Sequence, residues 1–209
     1  MVDVRKIRLI LELRNSGISD SNVLSAIEKI PREQFVPSSF RNQAYENIAL
    51  PIAEEQTISQ PLIVALMSEA LELNKNHKIL EIGTGSGYQT SILSILSRRV
   101  YTIERIKSLL SSSEKIFKKL NLTNIVTKHA DGNLGWPEQI PFDRIIFTAA
   151  TKKISYTILQ HIRENGIIVA PMIVNFNQVL TKFIKKNNTL NSEKISDVLF
   201  VPNVSGIKN

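Results

Sequence analysis

The chain predicts an α/β fold, with a doubly wound, mostly parallel sheet, helices on both faces and an N-terminal helical extension. Three observations carry that expectation. From about residue 61 onward, short apolar runs alternate with helical patterns, the signature of repeated strand–helix units. One run, Ile79-Leu80-Glu81-Ile82, breaks into Gly83-Thr84-Gly85-Ser86-Gly87 and then at once into a helix, as strands do above a parallel sheet. Finally, 209 residues at 43% hydrophobic content are enough for one sizeable core and force no second one.

The elements follow in order. Val4, Ile7, Leu11 and Arg14 recur at helical spacing, the pattern extends back through Met1-Val2-Asp3, and Asn15-Ser16-Gly17 stops it. Asp20 caps a second helix whose apolar face is Val23, Leu24, Ile27 and Ile30, with Pro31 just past its end. No clean period appears from Phe35 to Ser59, and four of the eight prolines lie between Pro31 and Pro61. Long irregular segments in compact domains are often functional. A helix over about Pro61 to Leu73 leads into the first strand, and Tyr88 to about Ser97 is the next helix. Then come strand Val100–Ile103, helix Ser108–Leu120, strand Asn124–Thr127, strand Asp143–Thr148, helix Ser155 to about Arg163 and strand Gly166–Ala170. The tail alternates over Gln178–Ile184 and again near Asp197–Val201, which predicts a terminal hairpin. Residues 1–60 are the helical extension with an irregular loop, and 61–209 the α/β core, of one domain.

The glycine loop points to a ligand. Glycines at a strand-to-helix turn let the backbone bend tightly and let a ligand lie on bare main chain. The dinucleotide fingerprint G-x-G-x-x-G needs glycine where Tyr88 stands, so the order here is G-x-G-x-G. Glu104 ends the second strand about 20 residues on, where an acid accepts hydrogen bonds from ribose hydroxyls. Alone, the glycines are a structural turn and Glu104 a solvated charge. Together they predict a nucleoside cofactor at the carboxyl ends of the strands, where Asp131 and Thr148 also fall.

Composition excludes several classes. The chain has no cysteine, which removes disulfides, thiolate zinc sites and cysteine nucleophiles, and fits a cytoplasmic setting. No apolar run approaches the roughly 18 residues of a membrane span, and no metal-ligating cluster stands out. The net charge of +7 is spread from Arg5 to Lys208, with only Lys182, Lys185 and Lys186 close together. Scattered charge of this kind is a solvated surface, so no specific nucleic-acid partner is expected. The histidines His77, His129 and His161 stand before the first strand, after the third and in a helix, and are expected to be surface or packing residues.

Gly83–Gly87 resembles the first motif of S-adenosylmethionine-dependent methyltransferases. A longer match is more selective. Gln56-Thr57-Ile58-Ser59-Gln60-Pro61 with Leu80–Thr90, Pro31-Arg32-Glu33, Phe35-Val36-Pro37, Tyr101–Arg105, Asp131-Gly132, Gly135-Trp136 and Phe200-Val201-Pro202 resembles the protein-L-isoaspartate O-methyltransferase family over nearly the whole chain. The resemblance implies a Rossmann-like, seven-stranded, mostly parallel sheet. It implies methyl transfer from S-adenosylmethionine to the free α-carboxylate of isoaspartyl residues in damaged proteins and peptides. It makes Ser59 the active-site residue, and Gln56, Thr57, Glu81, Gly83, Thr84, Gly85, Gly87, Glu104, Asp131 and Gly132 the cofactor site. No metal and no membrane are implied, and a monomer is expected.

The chemistry agrees with the residues. A carboxylate with pKa of roughly 3.9 is ionised at neutral pH and attacks without a general base, so positioning and water exclusion are the enzyme's task. Ser59 has a second reading: ahead of Pro61 and an apolar helix it is placed as an N-cap, and both roles can coexist. Asp131 is also a turn former before Gly132, and Trp136 a core anchor. The sequence departs from the family at Ala53-Glu54-Glu55, Ala130, Asn165-Gly166 and Pro171-Met172-Ile173, where glycines are usual. Those departures put the covering loop in question and leave room for an attenuated or non-catalytic homologue that binds isoaspartyl peptide. A nucleic-acid methyltransferase is the other rival. Against it, the fourth strand ends Phe147-Thr148-Ala149-Ala150, without the Asp/Asn-Pro-Pro-aromatic motif of amino-group methylation.

Overall fold

A computed structural model describes residues 3–209. Met1 and Val2, which the sequence places with the first helix, lie outside the described residues. Helix α1 (Val4–Asn15) starts at Asp3, whose carboxylate accepts the Arg5 N–H at 3.0 Å. Its buried face is Leu9 and Leu13, not Val4, Ile7 and Leu11, which are exposed. The helix carries two apolar stripes, and only the Leu9/Leu13 stripe meets the core that Ile18, Leu24 and Ile27 build. Helix α2 (Ser21–Lys29) is capped by Asp20, which accepts the Asn22 N–H at 2.8 Å, and buries Val23, Leu24 and Ile27 as expected.

The irregular stretch has a small order of its own. Two 3-10 turns (Arg32–Gln34 and Ser38–Gln43) precede a hairpin of β1 (Leu50–Pro51) and β2 (Thr57–Ile58), which pairs Leu50 with Ile58. The hairpin's loop carries Glu54 and Glu55 at φ 59° and 57°. Glycine is the residue that adopts this left-handed region without cost, and a non-glycine residue there carries roughly 1–2 kcal/mol. Helix α3 (Pro61–Ala70) begins with its proline in the first turn and ends three residues short of the expected Leu73, at Leu71 and the left-handed Glu72.

The sheet begins with β3 (Lys78–Ile82), then α4 (Tyr88–Leu96), β4 (Arg99–Glu104), α5 (Lys107–Lys119) and β5 (Ile125–His129). It continues with β6 (Phe142–Phe147), α6 (Tyr156–His161), β7 (Ile162–Val174), β8 (Asn177–Lys186) and β9 (Thr189–Asp197). The seven strands run in the order β5-β4-β3-β6-β7-β8-β9, parallel from β5 to β7 and antiparallel thereafter. Burial on both faces explains why Ile79, Leu80 and Ile82 of β3 are apolar without strict alternation. Ile79 faces Met67, Leu71 and Leu93 of α3 and α4, while Leu80 and Ile82 face Trp136, Phe147 and Ile158 on the α6 side. Strand order reverses between β3 and β6, which opens a crevice beyond their carboxyl ends.

The expected terminal hairpin needs correction. The partner of β8 is Thr189–Asp197, not Asp197–Val201, and the turn is Asn187-Asn188, both with positive φ. Two asparagines in the left-handed region form the tight connection that matches strand twist. Residues after Asp197 leave the sheet and lace back across its carboxyl edge. Val201 and Asn203 bond to the Ala150 main chain, Gly206 N–H donates to Asp131 at 2.7 Å, and Lys208 pairs with Arg105 and Lys107.

Candidate active site

The crevice holds a cavity of about 340 Å³ walled by the glycine loop, the ends of β4 and β6, the β1–β2 hairpin and the C-terminal tail. That size lies within the roughly 300–1,000 Å³ of small-molecule sites. Gln56, Thr57, Ser59, Gly83, Thr84, Gly85, Glu104 and Gly132 all line it. The three remaining expected residues, Glu81, Gly87 and Asp131, stand behind the wall.

The loop is shaped by what touches it. A Cβ on Gly83 would meet Thr148 Oγ1 at 2.3 Å, and that hydroxyl also donates to the Ile82 carbonyl at 3.0 Å. Thr148 therefore ties β6 to the turn at the point where the strand order reverses. Gly85 has nothing within 4 Å of an added Cβ, so its Cα face is open, while its N–H and carbonyl are held by Glu104 and Ser113. Gly87, at φ 84°, is needed for the fold: a Cβ there would lie 2.7 Å from the Phe117 ring of α5.

Glu104 is anchored at both carboxylate oxygens. Its Oε2 accepts the Gly85 N–H at 2.8 Å and its Oε1 the Ile106 N–H at 2.9 Å, so it holds the loop and borders the cavity together. Beneath the loop, Glu81 Oε2 accepts from Thr90 at 2.5 Å and Thr102 at 2.7 Å, and Thr102 is 2.6 Å from Thr84. Burial pushes the Glu81 carboxyl up to about 8, against the lowering effect of both threonine hydroxyls, so it is neutral at pH 7. Its Oε1 is buried without a partner. Glu81 thus supports the loop from below. Asp131 plays a similar part at the rim. Burial raises its carboxyl, but the Gly206 and Asn133 N–H groups outweigh that and hold it below the usual range.

Ser59 lines the cavity, and the N-cap of α3 is Gln60, not Ser59. Among the described residues its hydroxyl makes no hydrogen bond, while its carbonyl accepts Arg32 Nη2 at 2.9 Å. The capping reading is therefore overturned, because the chain turns into the helix one residue later. The two loop glutamates separate. Glu54 turns outward, to Ser108 Oγ at 2.7 Å and Lys208 Nζ at 2.7 Å, and these two partners hold its carboxyl below the usual range. Glu55 lines the cavity. None of the three histidines does. His77 pairs with Asn74, His129 bonds the Arg105 and Lys208 carbonyls, and His161 is buried at the end of α6.

Comparison with known proteins decides the family. The sequence pattern described as Protein-L-isoaspartate(D-aspartate) O-methyltransferase matches residues 4–208. The chain is similar to the protein-L-isoaspartate O-methyltransferase of Maricaulis maris, at 48% identity over 98% of this chain and 96% of that one. It is also similar to that of Paramagnetospirillum magneticum, at 50% identity over 97% and 96%. The chain belongs to the protein-L-isoaspartate O-methyltransferase family. A solved protein-L-isoaspartate O-methyltransferase superposes with a TM-score of 0.88 at 27% identity, over 97% of this chain and 67% of that one. A Plasmodium falciparum structure, titled as a putative family member in complex with S-adenosyl-L-homocysteine, shares the fold with a TM-score of 0.82 at 24% identity, covering 94% and 97%.

Some of the site of this methyltransferase family member lay beyond sequence reasoning. Asn203 and Val204 reach the cavity only because the tail folds back over the sheet, through contacts such as Lys208 with Arg105. Arg32, under Ser59, sits in a motif quoted for the resemblance but gives no local sign of its burial.

Proposed function

We infer that this chain transfers a methyl group from S-adenosylmethionine to the α-carboxylate of L-isoaspartyl residues in damaged proteins, which starts their return to L-aspartyl. One observation carries the reading beyond family membership. Ser59, whose hydroxyl makes no hydrogen bond among the described residues, shares a cavity wall with a glycine loop whose main chain Glu104 fixes. The residues fit the cofactor: Gly85 leaves its Cα face open to the cavity, Gly83 lines it beside Thr148, and Glu104 stands at the end of β4 where ribose hydroxyls would be held. Gln56 and Thr57 close the cavity from the hairpin side.

When bound, the cofactor supplies a sulfonium methyl, which passes to a carboxylate oxygen as the carbon–sulfur bond breaks and its electron pair goes to sulfur. The acceptor is already ionised, so the protein moves no proton and needs no base. Ser59 donates its hydroxyl to the acceptor carboxylate and fixes its orientation. The hairpin and the tail exclude water, and Thr148, Thr84 and Glu81 keep the loop rigid. Glu81, Gly87 and Asp131 belong to this reading as supports of the cofactor site.

The reading takes a monomer as the working unit. A cysteine-free chain needs no oxidising compartment, which supports a cytoplasmic setting. Among the described residues no helix is long and apolar enough to cross a membrane. The test uses labelled S-adenosylmethionine with an isoaspartyl peptide, its aspartyl counterpart and bulk RNA. Base-labile label on the isoaspartyl peptide alone is expected; label on RNA, or on no acceptor, overturns the reading.

A further inference from the structure

Arg32 is a charged residue of the interior with no ionic partner among the described residues. It sits in the 3-10 turn after Pro31 and is fully buried. Nη2 donates to the Ser59 carbonyl at 2.9 Å and to the Ile48 carbonyl at 3.3 Å. Among the described residues Nε and Nη1 have no partner, and the Tyr88 ring lies 4.8 Å from the guanidinium carbon. Among the described residues it joins no ion pair, and the adjacent Glu33 is turned to the Tyr45 hydroxyl. Tyr88 and Ser59 both line the cavity, so the guanidinium sits directly behind the wall that the acceptor faces.

A guanidinium stays protonated when buried, and burying it unpaired costs several kcal/mol. A clasp between residues 48 and 59 needs only a neutral donor, so the charge itself asks for a reason. The acceptor in the proposed reaction is an anion that arrives against Ser59. We propose that Arg32 is a positioning residue for that acceptor: it holds the Ser59 main chain in place and supplies the positive field that draws the substrate carboxylate to the Ser59 hydroxyl. The inference rests on the isoaspartyl reading of the same cavity. On this account the arginine's missing counter-charge arrives with the substrate, which favours the ionised carboxylate over uncharged groups of the same shape.

The experiment compares wild type, Arg32→Lys and Arg32→Gln. Calorimetry in the presence of S-adenosylhomocysteine measures binding of an isoaspartyl peptide and of the same peptide with an α-carboxamide. Melting temperature and S-adenosylhomocysteine affinity are recorded for each variant. Wild type is expected to prefer the carboxylate. Arg32→Gln should reduce that preference about tenfold or more, the scale of losing one charge–charge interaction at the edge of the interior. Arg32→Lys should keep part of it, and more at lower pH, since a buried ammonium gives up its proton more readily than a guanidinium. A structural clasp would weaken both peptides equally and leave their ratio unchanged. Equal ratios in Arg32→Gln and wild type overturn the inference. If wild type methylates no isoaspartyl peptide at all, the functional reading fails instead, so the two failures are distinguishable.

Discussion

Replacing Ser59 by alanine separates chemistry from folding in one variant. The hydroxyl has no hydrogen-bond partner among the described residues, and the α3 cap is Gln60. Deleting it breaks no internal bond, so stability should change by no more than about 0.5 kcal/mol. The variant can no longer donate a hydrogen bond to the ionised acceptor, and bonds of that kind contribute about 1.5–3 kcal/mol. At about 1.4 kcal/mol per decade, that is a rate loss of roughly 10- to 150-fold in kcat/KM for isoaspartyl peptide. Cofactor affinity should stay within about threefold. Initial rates with labelled S-adenosylmethionine, a melting curve and calorimetric titration of the cofactor give all three quantities. A melting point lowered by several degrees with the rate intact would refute the reasoning, because it would return Ser59 to a purely structural role.

Four further outcomes follow from the same geometry. Glu104→Gln puts an amide donor against either the Gly85 or the Ile106 N–H, so titration should show S-adenosylmethionine binding weakened by about 1–3 kcal/mol; unchanged affinity in a folded variant would contradict the ribose role. Glu55→Gly relieves a left-handed glutamate and removes a carboxylate from the cavity, so KM for isoaspartyl peptide should fall about two- to fivefold at low salt and less at high salt. Glu54→Gly should give no such gain, since that carboxylate is held outward by Ser108 and Lys208. The folded-state pKa of Glu81, about 8, lies above its unfolded value of about 4.5. Its contribution is therefore full below about pH 4.5 and is lost as pH rises toward 8, by up to a few kcal/mol. Glu81→Gln should flatten the fall in melting temperature between pH 5 and pH 8; parallel curves for the two proteins would show that Glu81 is ionised in the fold.

The parts of this molecule legible in the sequence are those whose cause is local. Gly83–Gly87 announces a strand-to-helix turn because the turn itself demands small residues, and Asp20 announces α2 because its carboxylate caps the adjacent N–H groups. Glu104 falls where the pattern puts it because strand length sets where a strand ends. What the sequence hides depends on residues far along the chain. The face that α1 buries is decided by Ile18 and α2, not by its own two apolar stripes. The tail alternates like a strand, although its path is set by Lys208 pairing with Arg105 and by Gly206 pairing with Asp131. Asn187-Asn188 does carry the signal for the β8–β9 turn, since asparagine tolerates the left-handed region. Glu81 and Gly87 belong to the motif by sequence, yet the fold uses one as a buried support and the other as a packing contact for Phe117.

The most direct test of the central claim follows the peptide, not the label. An isoaspartyl peptide is incubated with this protein and S-adenosylmethionine under mildly alkaline conditions and resolved by chromatography over successive turnovers. The account predicts a methyl ester first, then succinimide, then a growing fraction of the normal aspartyl peptide, with none of these when cofactor is omitted. An isoaspartyl peptide that stays unmodified while the cofactor binds would contradict it.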